Sequence, residues 1–199
     1  EEFETFVKQE LKLRLNKKQT KAIFKEEITR LYIKHLDLCY NPGEAAQFDW
    51  GTLQLTIGGT KKRVCIAVFS FPYSNYRFFY PTTSMTNEGF LEAFQAFIHH
   101  IGAIPPVLII DNMRIAVQYD SGKRILTSLF RQLEQHYRMK IKPCTPHQPQ
   151  QKGNVENAVR TIKTHLDIIQ TYNSDKHLAH HIKQFNKERN ALPHHEKND

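Results

Sequence analysis

Val107-Leu108-Ile109-Ile110-Asp111-Asn112 is the stretch whose reading decides the fold. Four apolar residues, three of them β-branched, run without a break into an aspartate and an asparagine. A run this short and this rich in branched side chains reads as a strand. An unbroken apolar strand is one covered on both faces, and it pairs in parallel with its neighbour. Asp111-Asn112 then falls at the carboxyl edge of the sheet, where ligands gather in α/β folds. The bland alternative for this pair is an Asx turn or a helix cap.

Working outward toward the N-terminus, Thr86-Asn87-Glu88 reads as a helix cap. Phe90, Phe94, Phe97, Ile98 and Ile101 follow at helical spacing and form a stripe of core packing. Gly102 and Pro105-Pro106 end that helix. Before it lie three strand-like runs at 46–57, 62–71 and 75–82. Gly58-Gly59 and Pro72-Tyr73-Ser74-Asn75 separate them, which gives an antiparallel meander. Toward the C-terminus, an amphipathic helix is expected over 124–138, around Ile125, Leu129, Leu133 and Tyr137. A fifth short strand follows at 139–143. A polar Pro/Gln/Gly loop at 144–153 leads to helices at about 154–170 and 174–190.

The order β-β-β-α-β-α-β-α predicts an α/β domain: a mixed five-stranded sheet flanked by helices on both faces. Residues 1–40 read as an N-terminal helical arm, with Ile23, Phe24, Ile28, Leu31 and Tyr32 at helix spacing. Lys17, Lys18, Lys21 and Lys25 read as a solvated face of that arm. Asn41-Pro42-Gly43 separates the arm from the main domain. The expected divisions are an arm at 1–40, a core at 41–173 and a C-terminal helix and tail at 174–199.

Three carboxylates stand at telling places in this order. Asp49 lies in Gln47-Phe48-Asp49-Trp50-Gly51, early in the first strand. Asp111 ends the apolar strand, and Glu156 opens a helix. Taken singly, each has an ordinary explanation: an edge-strand aspartate, a turn, or a first-turn glutamate favoured by the helix dipole. Taken together, a strand start, a strand end and a helix start can converge on one point. Three hard oxygen ligands there suit Mg²⁺ or Mn²⁺ and leave positions for water and phosphate.

The chain of 199 residues carries a formal net charge of +8, which favours a polyanionic partner. In that setting the carboxylates suggest phosphodiester chemistry on nucleic acid. Cys39, Cys65 and Cys144 include no CxxC pair and are odd in number. This predicts a reduced protein without a disulfide framework or a structural zinc site. His177 and His181, four apart on the last helix, are expected to be surface histidines. No apolar run approaches the roughly 18–20 residues of a membrane span, and no signal peptide precedes the acidic start. No membrane association and a cytoplasmic location are the expectations.

Three segments carry a family resemblance. They are Pro42-Gly43-Glu44-Ala45-Ala46-Gln47-Phe48-Asp49-Trp50-Gly51, Asp111-Asn112-Met113-Arg114-Ile115-Ala116-Val117 and His147-Gln148-Pro149-Gln150-Gln151-Lys152-Gly153-Asn154-Val155-Glu156. Together they resemble the DDE catalytic core of transposases and retroviral integrases, which has the ribonuclease-H-like fold. They are most similar to IstA-like transposases of insertion sequences that also encode a helper AAA+ ATPase. Phe185-Asn186-Lys187-Glu188-Arg189-Asn190 with Pro193-His194 resembles the helix that follows such a core.

The resemblance implies that Asp49 bridges two metal ions, Mg²⁺ or Mn²⁺, while Asp111 and Glu156 each complete one site. It implies 3′-end processing by water, then attack of the freed 3′-hydroxyl on target DNA. The partners implied are transposon-end and target DNA, a homo-oligomer on paired ends, and the helper ATPase in a bacterial cytosol or nucleoid. The end-binding domain expected upstream is absent, so a catalytic fragment is the expectation. Asn112, Arg114, Lys152, Arg160 and Lys163 are the expected DNA contacts. Arg160 and Lys163 share a helix face with Glu156, and a solvated basic face is the alternative. Two other functions stay open: a ribonuclease-H-like nuclease, and a non-catalytic DNA-binding module.

Overall fold

The computed structural model describes residues 40–144 and 153–192. The arm, the loop at 145–152 and the tail from 193 lie outside the described residues, and with them the arm's expected helix and Lys152.

β1 (Ala45–Ile57), β2 (Thr60–Ser70) and β3 (Arg77–Thr82) form the antiparallel meander. α1 (Asn87–Ile101) crosses to β4 (Val107–Ile110). A hairpin of β5 (Val117–Asp120) and β6 (Lys123–Leu126) precedes α2 (Ser128–Tyr137) and β7 (Lys140–Pro143). α3 (Gly153–Ile169), β8 (Thr171–Tyr172) and α4 (Asp175–Ala191) complete the described chain. The main sheet runs β3-β2-β1-β4-β7, with β4 parallel to both β1 and β7. This mixed order, with helices on both faces, is the arrangement that the family resemblance implies.

Alternation along β1 divides the core. Ala46, Phe48 and Trp50 face one way, with Ala67, Phe69 and Phe78 of the neighbouring strands. α1 covers them through Phe90, Phe94 and Phe97, none of which is measurably exposed. Each such ring withdrawn from water is worth about 1.5–3 kcal/mol. Leu55 and Ile57 face the other way, against Val155, Ala158, Ile162 and Leu166 of α3 and Leu178, Ile182 and Phe185 of α4. The strand period of two and the helix period of 3.6 thus meet on both sides of one sheet.

α4 also protects the outer edge of the sheet. Asn186 Oδ1 accepts from Phe79 N–H while its Nδ2 donates to Phe79 O, both at 2.9 Å. Asn190 repeats the pairing on Arg77, at 2.9 and 2.7 Å. A spacing of four on the helix matches a spacing of two on the strand. The open backbone groups of β3 are therefore answered by side chains rather than left for another strand.

Three expectations need correction. The helix expected over 124–138 begins only at Ser128, because Lys123–Leu126 is a strand. Ser121 and Gly122 both take positive φ, 49° and 77°, which is the tight turn that closes a two-residue hairpin. The sheet holds a sixth strand, since the short β8 pairs in parallel with Thr56 and Ile57 at the far end of β1. His181 is only partly exposed, stacking on His165 with their Nε2 atoms 2.8 Å apart. Burial, and in His165 next the nearby His181, lowers both imidazoles below their ordinary value of 6.5.

Candidate active site

The β1–β4 ladder pairs Ala45 with Val107 and ends with Phe48 opposite Ile110. One residue further, the same offset sets Asp49 beside Asp111, on strands spaced about 4.8 Å apart. Side chains two apart on a strand share a face, so Asp49 lies on the face of Gln47. That face is the one covered by α3, because Val155 N–H donates to Gln47 Oε1 at 3.2 Å. Asp49, Asp111, Gln47, Ile109, Cys144 and Val155 line one small cavity with Phe48.

The two aspartates are held alike. Asp49 Oδ1 accepts the N–H of Trp50 at 2.7 Å, and Asp111 Oδ1 accepts that of Asn112 at 2.6 Å. Each bond fixes the carboxylate against its own backbone.

Glu156 lies on the exposed side of the first turn of α3, directly after the cavity-lining Val155. Among the described residues, no three histidine, cysteine, aspartate or glutamate side chains are gathered closely enough to hold one metal ion. The structure therefore brings Asp49 and Asp111 to one cavity and sets Glu156 one residue beyond its wall. The donor chemistry fits a hard divalent cation: two carboxylates at one level of the sheet, with a third at the adjoining helix start.

The expected DNA contacts divide. Asn112 is occupied in holding the loop after Asp111: its Nδ2 donates to Cys144 O at 3.2 Å, and its Oδ1 accepts from Arg124 at 2.9 Å. Arg124 also donates to Cys144 O at 3.0 Å. It thereby ties the β5–β6 hairpin to the ends of β4 and β7, a role invisible without the hairpin. Arg114 is exposed in the turn that follows. Arg160 is exposed and donates to Asn157 on its own helix at 3.3 Å. Lys163 lies over the Asp49 face, for its Cε would stand 3.6 Å from a Cβ placed on Gly51.

Two residues beside Asp49 escaped sequence reasoning as site-builders. Gln47 is 3% exposed, a buried amide in an apolar alternation, and that mismatch was the available signal. Gly51 lets α3 approach, because a Cβ there would come within 3.3 Å of Val159 Cγ1.

Known proteins resemble part of this chain in sequence. They are transposases of insertion sequences. The chain is 27% identical over 139 residues to a putative transposase of IS5376 from Geobacillus stearothermophilus, covering 69% of this chain and 35% of that protein. It is 24% identical over 146 residues to the IS21 transposase of Pseudomonas aeruginosa, covering 72% and 37%. It is 30% identical over 140 residues to the IS232 transposase of Bacillus thuringiensis subsp. berliner, covering 66% and 31%. The chain thus spans well under two thirds of each relative's length. No protein-family model matches it. Among solved structures, the HTLV-2 integrase catalytic core domain in complex with magnesium is 19% identical, with a TM-score of 0.49 over 64% of this chain and 72% of that one. The catalytic core domain of BIV integrase is 17% identical, with a TM-score of 0.45 over 64% and 72%. No helix among the described residues is long and apolar enough to cross a membrane.

Proposed function

We propose that this chain is the catalytic part of an insertion-sequence transposase, cutting and joining DNA at 3′ ends with divalent metal. The observation that carries the reading is the parallel ladder that sets Asp49 beside Asp111, under the helix that bears Glu156. Its likeness to transposases of insertion sequences supports the same conclusion.

Asp49, Asp111 and Glu156 would hold Mg²⁺ or Mn²⁺, with Asp49 shared between two ions. When bound, a two-ion site activates the attacking oxygen and stabilises the leaving oxygen of an in-line phosphoryl displacement. The chain's own residues do the rest. The two aspartates line one cavity with their carboxylates. Asn112 and Arg124 fix the loop that follows Asp111. Lys163 offers a cation beside the Asp49 face for a DNA phosphate, and Arg160 and Arg114 offer more exposed ones. No side-chain nucleophile is required, since water and then the DNA 3′-hydroxyl attack. The partners proposed are transposon-end and target DNA, a second copy of the chain on paired ends, and a helper AAA+ ATPase. The setting proposed is the bacterial cytosol or nucleoid.

The test is incubation of the full-length protein with labelled terminal-repeat DNA, target DNA and Mg²⁺. Joined products support the transposase reading. Cuts without joining indicate a ribonuclease-H-like nuclease, and a mobility shift without chemistry indicates a binding module.

A further inference from the structure

We propose that Gln47 is the positioning residue for Glu156, an inference that rests on the metal-dependent reading above. Val155 lies in the first turn of α3, where backbone N–H groups have no carbonyl partner within the helix. Its N–H instead donates to the side-chain oxygen of Gln47 across a contact of 3.2 Å, with both residues 3% exposed. Gln47 is itself fixed in the centre of the sheet, opposite Ser70 on one side and Ile109 on the other. It shares a strand face with Asp49, two residues on. One side chain therefore connects the strand that carries Asp49 with the backbone position immediately before Glu156.

The alternatives for Gln47 are weaker. A buried amide is costly unless it is bonded, and an apolar residue would serve packing alone at this level of β1. What an apolar residue cannot supply is an acceptor for an orphan helix donor. Asn154 Nδ2 donates to Asn75 Oδ1 from the same turn. That contact holds α3 to the β2–β3 connection, whereas Gln47 holds it to the strand of the aspartates. Hydrogen bonds behind metal ligands of this kind are typically worth 10–100-fold in metal affinity.

The test uses the full chain and two readouts, residue-resolved amide exchange and Mn²⁺ binding, neither of which requires DNA chemistry. Gln47→Met keeps volume and removes the acceptor oxygen. Gln47→Glu keeps an oxygen at the same reach. Gln47→Met is expected to lose roughly tenfold of the protection at Val155 N–H, and Gln47→Glu to restore it. Mn²⁺ binding of Gln47→Met is expected to weaken roughly tenfold. A Gln47→Met/Glu156→Gln double variant should bind no more weakly than Glu156→Gln alone, since both changes act on one ligand.

Unchanged exchange at Val155 in Gln47→Met would overturn the proposal. So would lost protection with parent-like Mn²⁺ affinity, provided Glu156→Gln itself weakens binding. Should Gln47→Met not fold, Gln47→Asn, one methylene shorter, is held to the same outcomes. Failure of the underlying metal reading has a different signature: Glu156→Gln would bind Mn²⁺ like the parent, and the role given to Gln47 would fall with it.

Discussion

Asp49 and Asp111 are placed by a ladder, whereas Glu156 is placed by a helix end. The aspartates inherit their relation from paired strands at the centre of a sheet buried by helices on both sides. Asp49 cannot shift along β1 without breaking several backbone hydrogen bonds, and Asp111 follows directly from the last paired residue of β4. Glu156 depends on how the first turn of α3 is seated, and that seating comes from side chains: Gln47, Asn75 and the space left by Gly51. The difference teaches that one half of the site is set by topology and the other by a few local contacts. Damage to the first half should be chemical, and damage to the second geometric.

The largest effect is expected at Asp111. Asp111→Asn should abolish detectable strand joining, because it removes a ligand charge but little volume. Its unfolding free energy, read by urea denaturation, should stay within about 1 kcal/mol of the parent. A variant that joined DNA at the parental rate would break the distinction at its chemical end.

Gly51→Val is expected to injure fold and function together. A side chain there meets Val159 Cγ1 at 3.3 Å and drives α3 off β1. Overpacking of this kind costs about 1–3 kcal/mol, readable by urea denaturation. Gly51→Ala should show a smaller loss of the same kind, and equal stability for all three proteins would show that the close approach does not matter.

Arg124→Met should be milder. It frees Asn112 and Cys144 O from one guanidinium while leaving the β1–β4 ladder that ends just before Asp111 intact. The expected cost is about 0.5–1.5 kcal/mol in stability, with a measurable fall in joining rate. A rate loss as complete as that of Asp111→Asn would mean that Arg124 touches the reacting DNA.

The smallest effect concerns pH at the other end of α3. His165 of α3 and His181 of α4 pair through Nε2, and the folded state holds both below their ordinary value of 6.5. His177 and His180 add positive charge on protonation, and Glu188 opposes it. Groups depressed in this way bind fewer protons folded than unfolded, so their contribution is present above about pH 6.5 and lost as pH falls below it. Denaturation midpoints should decline from pH 7 toward pH 5, and His165→Phe should flatten that decline. An unaltered profile in His165→Phe would remove the pair as its cause.

The sequence carried the ladder-built half well. The unbroken Val107–Ile110 run marks a strand covered on both faces and the alternation through Asp49 is a period-two signal; both survive without any tertiary information. The phenylalanine stripe of α1 was equally plain. The hairpin before α2 was hidden because Ile125 and Leu129 also fit a helical period, and only the Asp120-Ser121-Gly122 turn chemistry separates the two readings. Gln47 and Gly51 were hidden for another reason: the alternation marks Gln47 as out of place, but what either residue does exists only once α3 lies on β1. Asn112, expected at DNA, is engaged with Cys144 and Arg124, contacts that join positions 32 and 12 residues apart in the chain.

The most direct measurement is a crystal structure of the chain soaked with Mn²⁺, read by anomalous scattering. The account predicts a peak between the Asp49 and Asp111 carboxylates, with Glu156 turned toward the same cavity from the first turn of α3. A Mn²⁺ peak elsewhere, with no density between those two aspartates at saturating metal, would contradict it.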